Sequence, residues 1–292
     1  MRVAVTDIGT NTTRLLVADV TDGKVTEVER RTTITTLGEG LEATGRLADS
    51  AMERVTAAVA EYREAIDALG AEWSTAVATS AMRDAENGAA FRRMLQDRFH
   101  VDARTISGDE EARLTFLGAT AGRGDREETV VIDIGGGSTE YVVGCPGEEP
   151  GFHTSTQMGS VRHTERFLQT DPPTSGELEA LARDVHSIVP DVSAERAIAV
   201  AGTATSLAAI DGANDVHGHV LTIDACERIT AMLASKTVEE RRGVEGLNPA
   251  RAPTIVAGAT ILTESLRALG LDQVEVSDRD ILHGAAALAE AP

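Results

Sequence analysis

Asp133 closes an apolar run, Val130 to Ile132, and is followed by Ile134, three glycines, Ser138, Thr139 and a second acid, Glu140. A glycine turn leaves backbone N–H groups uncovered because no Cβ shields them. Placed after a strand, it can cradle phosphate oxygens. Gly136, Gly137 and Ser138 are therefore candidate phosphate ligands, and Asp133 and Glu140 are hard oxygen donors of the kind Mg²⁺ takes. The chain carries a second version near its start, "DIGTNTT" from Asp7 to Thr13. An offset of 126 (133 − 7) lays Asp7 on Asp133 and Thr12 on Ser138. It offers Asp7 as a third candidate metal ligand and Asn11, Thr12 and Thr13 as phosphate ligands. Either turn alone reads equally well as a tight hairpin using Gly and Asn for positive φ. Two copies, each behind an apolar run, point to a duplicated unit and to two loops gripping a phosphate chain.

Three further stretches carry chemistry. In "TSAMRDAENG" (Thr79 to Gly88), Arg83 can hold a phosphate bidentately, although alone it reads as a surface partner of Asp84 or Glu86. "ISGDEEAR" sets Asp109, Glu110 and Glu111 at a helix start, where acids suit the helix dipole. Ser107 and Glu110 have capping-box spacing, which leaves Glu111 the freest to act as a base. "AVAGTATSL" reads as a strand followed by a Gly/Thr turn in which Gly202 and Thr203 can hold a phosphate tail. His217 and His219 lack ligand-spaced companions and read as solvent-exposed.

These groups need strands that end in turns and helices that begin beside them. Val3 to Thr6 and Leu15 to Val20 read as strands joined by the first turn, and "KVTEVERRTTITTL" as a third. Val55, Val59, Tyr62, Ile66 and Leu69 recur at helical spacing, with Ser50 and Glu53 as a capping box and Gly70 as the stop. "VDARTIS" (Val101 to Ser107) is a strand leading into the acidic helix. The glycine-rich, charged stretch from Gly122 to Thr129 marks a boundary. Beyond it strands again alternate with helices, ending in "RDILHGAAALAEA". The alternation predicts α/β layers. The domains expected are 1–124 and 125–278, with a helix over about 279–292 packing back on the first.

The 292 residues suit two domains, each with its own core. No apolar run reaches the roughly 18 residues of a membrane span and no signal peptide precedes the first strand, so a cytoplasmic protein is expected. Two cysteines without ligand spacing fit a reduced compartment. The net charge is −20, and Lys24 and Lys236 are the only lysines. The acid excess predicts a surface adapted to high salt. It also argues against nucleic acid as a partner, since that recognition rests on basic surface, and aromatics at 3% disfavour base stacking.

Taken in order, "DIGTNTTRLLV", "ATSAMRDAENG", "ISGDEEARLTFLG", "DIGGGSTEYVVG", "MGSVRHTERF", "AGTATSL" and "VSDRDILHGAA" resemble the exopolyphosphatase / guanosine pentaphosphatase (Ppx/GppA) family of the actin-like ATPase superfamily. The resemblance covers nearly the whole chain. It implies two ribonuclease-H-like α/β domains with a cleft between them. It also implies a cytoplasmic, Mg²⁺-dependent hydrolase (Mn²⁺ being the alternative ion) that removes terminal phosphate from inorganic polyphosphate or guanosine pentaphosphate, with a homodimer open to it. By the same resemblance Glu111 positions the attacking water, Asp133 and Glu140 hold the metal, Gly136, Gly137 and Ser138 form the phosphate loop, and Arg83 binds phosphate. Where the family often has Arg-Glu, this chain has Leu282 and His283. A nucleotide-binding regulator and a small-molecule kinase are the rival readings within the superfamily, and "GDEEAR" before the second loop favours hydrolysis over both.

Overall fold

The computed structural model describes residues 1–289 except 102. It divides into two compact units, Met1–Gly122 joined by the residues from Asp280 onward, and Arg123–Arg279.

The first unit runs β1 (Arg2–Ile8), β2 (Thr12–Thr21), β3 (Lys24–Ile34), α1 (Leu41–Thr44), α2 (Asp49–Leu69), β4 (Trp73–Ala78), α3 (Ser80–Asp84), α4 (Gly88–Phe99), β5 (Ala103–Thr105) and α5 (Gly108–Ala119). Its sheet has the order β3-β2-β1-β4-β5, with β1 antiparallel to β2 and parallel to β4. Side chains alternate across the sheet with the period of two that a strand imposes. Ala4, Leu15 and Val17 pack under α2 against Ala58, Tyr62 and Ile66. Val3, Val5, Leu16 and Ala18 face the other way, onto Leu114 of α5 and onto Ile281, Leu282 and Ala285 of the C-terminal helix.

The second unit runs β6 (Thr129–Ile134), β7 (Thr139–Gly144), β8 (Phe152–Thr156), α6 (Ser160–Phe167), α7 (Ser175–Ile188), β9 (Arg196–Val200), α8 (Ala201–Ile210), β10 (Val220–Thr222), α9 (Ile223–Ala234), α10 (Val238–Arg241), a 3-10 turn (Pro249–Arg251), α11 (Ile255–Leu269) and β11 (Gln273–Val276). The C-terminal helix, α12 (Ile281–Ala287), returns to the first unit. The second sheet has the order β10-β11-β9-β6-β7-β8, and β6 lies between antiparallel β7 and parallel β9 as β1 lies between β2 and β4. Every residue of α11 from Ile255 to Leu266 is buried, so this helix is a core element rather than a surface one. Both sheets share the ribonuclease-H-like strand order, and the expected α/β class with two such domains is the one observed. No described helix is long and apolar enough to cross a membrane.

Local expectations differ in three places. α2 begins at Asp49 with Ala48 as its N-cap and no side-chain cap, so Ser50 and Glu53 form no capping box. Ser50 already lies inside the first turn, where a hydroxyl cannot act as N-cap. The strand expected from Val101 shortens to Ala103–Thr105. Its residue Asp102, and residues 290–292 of the helix expected over about 279–292, lie outside the described residues. His217 and His219 are not free in solvent, since they pair with Asp278 at 3.0 Å and Asp211 at 3.1 Å.

Candidate active site

In the first unit the loop after β1 is closed by one bond, Gly9 N–H to Thr12 O at 2.9 Å. Asp7 sits opposite Arg14 in the β1–β2 register. The Arg14 guanidinium donates to Asp7 Oδ2 through Nε at 3.0 Å and Nη2 at 2.6 Å, and its Nη1 pairs with Asp280. Asp7 Oδ1 is buried and accepts no hydrogen bond. Burial pushes the Asp7 carboxyl upward, against the pull of Arg14. Burial acts on Asp280 too, but Arg14, His283 and the Leu282 N–H outweigh it and hold that carboxyl low. The hydroxyl of Thr10 accepts from Ala81 N–H at 3.1 Å, which ties the loop to the start of α3.

Arg83 lies on α3 and Glu111 in the first turn of α5, and the fold brings them together. Arg83 Nη1 donates to Ile106 O at 3.0 Å and reaches Glu111 Oε2 at 3.4 Å. Asp84, the expected surface partner, stands 3.9 Å away, and Glu86 pairs with Arg46 instead. Ser107 caps α5 by accepting from Glu110 N–H at 3.1 Å. The Glu110 carboxylate turns outward to Arg104 at 2.6 Å, so only the serine half of the box forms. Glu111 is buried with a side chain 10% exposed, against 37% for Glu110. Of the adjacent acids, then, one is a solvated surface charge and the other faces an arginine inside the fold.

In the second unit the loop repeats the first: Gly135 N–H bonds Ser138 O at 3.0 Å, the counterpart of Gly9 and Thr12 at the offset of 126. Asp133 opposes Glu140 in the β6–β7 register, and both are buried. Glu140 Oε1 accepts from Ser155 Oγ of β8 at 2.7 Å. The repeat thus replaces a carboxylate–guanidinium pair by two carboxylates, because position 14 is arginine and position 140 (14 + 126) is glutamate. The start of α6 lies along the loop. Ser160 N–H donates to Gly135 O at 2.9 Å, Val161 N–H to Gly136 O at 2.9 Å, and Arg162 Nε to Gly137 O at 2.8 Å. Among the described residues the N–H groups of Gly136 and Gly137 donate to nothing. Gly159 admits this approach, since a Cβ there would overlap Gly136 and Gly137.

Gly202 and Thr203 do not form the turn expected of them. β9 passes into α8 through a single residue, Ala201, with φ of 64°, so both lie in the first helical turn. The guanidinium of Arg251 rests against Gly202. Thr203 and Ser160 both pack beside Gly258 of α11, which draws the starts of α6 and α8 together. Sequence reading missed Arg14, Ser155 and Arg251. Arg14 was findable as the residue that the offset lays on Glu140. Ser155 and Arg251 carry no such mark. Among the described residues no three His, Cys, Asp or Glu side chains converge into a ready metal site.

The Ppx/GppA phosphatase family model matches residues 16–287. The chain belongs to the Ppx/GppA phosphatase family. It is 38% identical to exopolyphosphatase 2 of Mycobacterium tuberculosis over 98% of this chain and 97% of that one. The crystal structure of the Aquifex aeolicus family member is 32% identical with a TM-score of 0.81, covering 98% and 96% of the two chains. An exopolyphosphatase from Cytophaga hutchinsonii shares the fold at a TM-score of 0.91 with 23% identity, over 98% and 96%. Membership makes this chain a phosphatase, a hydrolase of the Ppx/GppA type with the actin-like ATPase fold, as its sequence motifs implied.

Proposed function

We propose that this member is a Mg²⁺-dependent exopolyphosphatase and that Glu111 is its general base. The observation that supports this reading most is the divergence of the two acids in α5, with Glu110 paired outward to Arg104 and Glu111 buried beside Arg83. Glu111 Oε2 takes a proton from a water, whose oxygen attacks the terminal phosphorus of the polyphosphate in line. The bridging P–O bond breaks and its electron pair leaves with the shortened chain, while inorganic phosphate departs. Arg83 offers its guanidinium to the transferring phosphoryl oxygens. In the second unit Gly136 and Gly137 N–H and the Ser138 hydroxyl hold phosphate oxygens, and Gly202 and Thr203 present the first turn of α8 to another. Asn11 and Thr12 do the same in the first unit, whereas Thr13, expected as a third ligand, is fully buried in the sheet with its hydroxyl joined to that of Thr35.

The residues present fit a divalent cation. Asp133 and Glu140, two buried carboxylates opposite each other in the β6–β7 register, are hard oxygen donors of the kind such an ion takes. In the first unit, taken by itself, Asp7 Oδ1 is also a hard oxygen donor without a hydrogen bond. With too few protein ligands for a closed cage, substrate oxygens and water complete the shell, as is usual for Mg²⁺. When bound, the ion neutralises charge on the phosphate oxygens.

The deciding measurement is phosphate release from polyphosphates of several lengths, from guanosine pentaphosphate and from ATP, each with and without Mg²⁺. Polyphosphate should be cleaved best and only with the ion. Guanosine pentaphosphate cleaved in preference would overturn the substrate assignment, and full activity in excess chelator would overturn the metal. Asp133→Asn and Glu140→Gln should each raise the Mg²⁺ concentration needed for half-maximal rate.

A further inference from the structure

Peptide groups are planar and trans, so a carbonyl drawn to one side turns the next residue's N–H to the other. In the second unit α6 draws Gly136 O by the N–H groups of Val161 and Arg162, at 2.9 and 3.1 Å, and the Gly137 N–H therefore points away. The first loop has Thr10 and Asn11 at the matching positions (136 − 126 and 137 − 126), and there α3 bonds only the Thr10 hydroxyl, through Ala81 N–H, and not the loop carbonyls. The segment that follows β3 does the same work. Gly38 N–H donates to Thr10 O at 2.9 Å, and Thr35 and Thr36 N–H both donate to Asn11 O, at 3.0 and 2.9 Å. A Cβ on Gly38 would overlap the Thr10 side chain. Thr13 and Thr35 join through their hydroxyls at 3.0 Å. Among the described residues the Asn11 N–H donates to nothing.

Thr36 makes this geometry at a cost. Its φ is 45°, a left-handed conformation that is a genuine outlier for a β-branched residue. Such a residue persists only where its surroundings over-determine it. Here the constraint is Arg54 of α2, whose Nε donates to Thr35 O at 2.7 Å and whose Nη2 reaches Thr36 O at 3.4 Å and Glu39 Oε2 at 2.7 Å. We propose that Thr35–Gly38, locked by Arg54, is a positioning strap that aims the Asn11 N–H at a substrate phosphate, as the start of α6 aims the Gly137 N–H. Arg54 and Thr36 are then positioning residues and touch no substrate themselves. The inference rests on the first loop being a phosphate site.

The test is steady-state kinetics on a defined polyphosphate at saturating Mg²⁺, with melting temperature measured alongside. Arg54→Gln and Gly38→Ala should raise KM about tenfold, the worth of one charge-assisted hydrogen bond made in both ground and transition state, with kcat little changed. Arg54→Lys keeps a cationic donor and should recover most of that affinity. Arg54 is partly exposed, so its variants report even if Gly38→Ala fails to fold. A lowered melting temperature with KM intact in Arg54→Gln would overturn the strap. Thr12→Val and Ser138→Ala separate the two readings. If they raise KM and Arg54→Gln does not, the strap alone fails. If none of them moves KM, the phosphate-loop reading fails and the strap with it.

Discussion

Glu110 and Glu111 are neighbours in sequence and opposites in setting, and mutation should separate them. Glu111→Gln should lower kcat about 10²–10⁴-fold while substrate binding persists, as removal of a general base does. Glu110→Gln removes an exposed pair with Arg104, a class of contact whose median worth is about 0–1 kcal/mol, and should leave the rate near wild type. A Glu110 variant slower than the Glu111 variant in initial-rate assays would reverse the assignment. Ser107 sits at an N-cap and accepts from Glu110 N–H. That was legible, because a cap is a rule about residues three apart in the chain. The partner that matters to Glu111 was not. Arg83 lies 28 residues away, and only the parallel pairing of β4 with β5, the strands that lead into α3 and α5, brings it near. Arg14 and Asp280 are 266 residues apart, a separation no local pattern encodes.

Among elements, the duplicated strand–loop–strand unit was plain from its offset, since strand ends, turn glycines and hydroxyls all leave local marks. What holds each loop differs between copies: a helix start in one, which falls in the quoted stretch "MGSVRHTERF", and in the other a strained segment with no such mark. Ser50 shows the converse: capping-box spacing that the structure does not use. The passage from β9 to α8 was misread as a turn for a related reason, because one residue makes it. Ala201 takes φ of 64° to do so. A left-handed alanine costs about 1–2 kcal/mol, and glycine removes that penalty at roughly 0.5–1 kcal/mol of added unfolded-chain entropy. Ala201→Gly should therefore stabilise the protein by about 0.5–1 kcal/mol. Ala204→Gly, three residues into the same helix, should destabilise it by about 1 kcal/mol. Thermal unfolding of both variants checks the opposite signs, and a lower melting temperature for Ala201→Gly would refute the account.

Over the whole molecule charge dominates, with 47 acidic against 27 basic residues. At 0.01 M salt the Debye length is about 30 Å, so like charges repel across a domain, and at 1 M it falls to about 3 Å. The same field opposes the approach of a polyanion. Melting temperature and apparent affinity for polyphosphate should both rise between 0.1 M and molar KCl, at fixed free Mg²⁺. A binder dominated by phosphate contacts to basic side chains would lose affinity over that range. A melting temperature flat or falling with KCl would sever the acidic composition from salt adaptation.

α12 comes after the whole second unit in the chain but packs in the first. It crosses α5 so closely that a Cβ on Gly118 would overlap Asp280 and one on Gly284 would overlap Leu114. The order of synthesis therefore inverts the order of completion. As the polypeptide leaves the ribosome, Arg123–Arg279 emerges entire and can consolidate at once, as domains do in turn. The earlier-made part must wait with Val3, Val5, Leu16 and Leu114 uncovered until the last helix appears. The helix that carries Glu111 is thus pinned only after the whole second unit has been made. In a chain stopped at Arg279, amide exchange should find α5 unprotected and β6, β7 and β9 protected. Equal protection in both places would mean that the early part needs no closing helix.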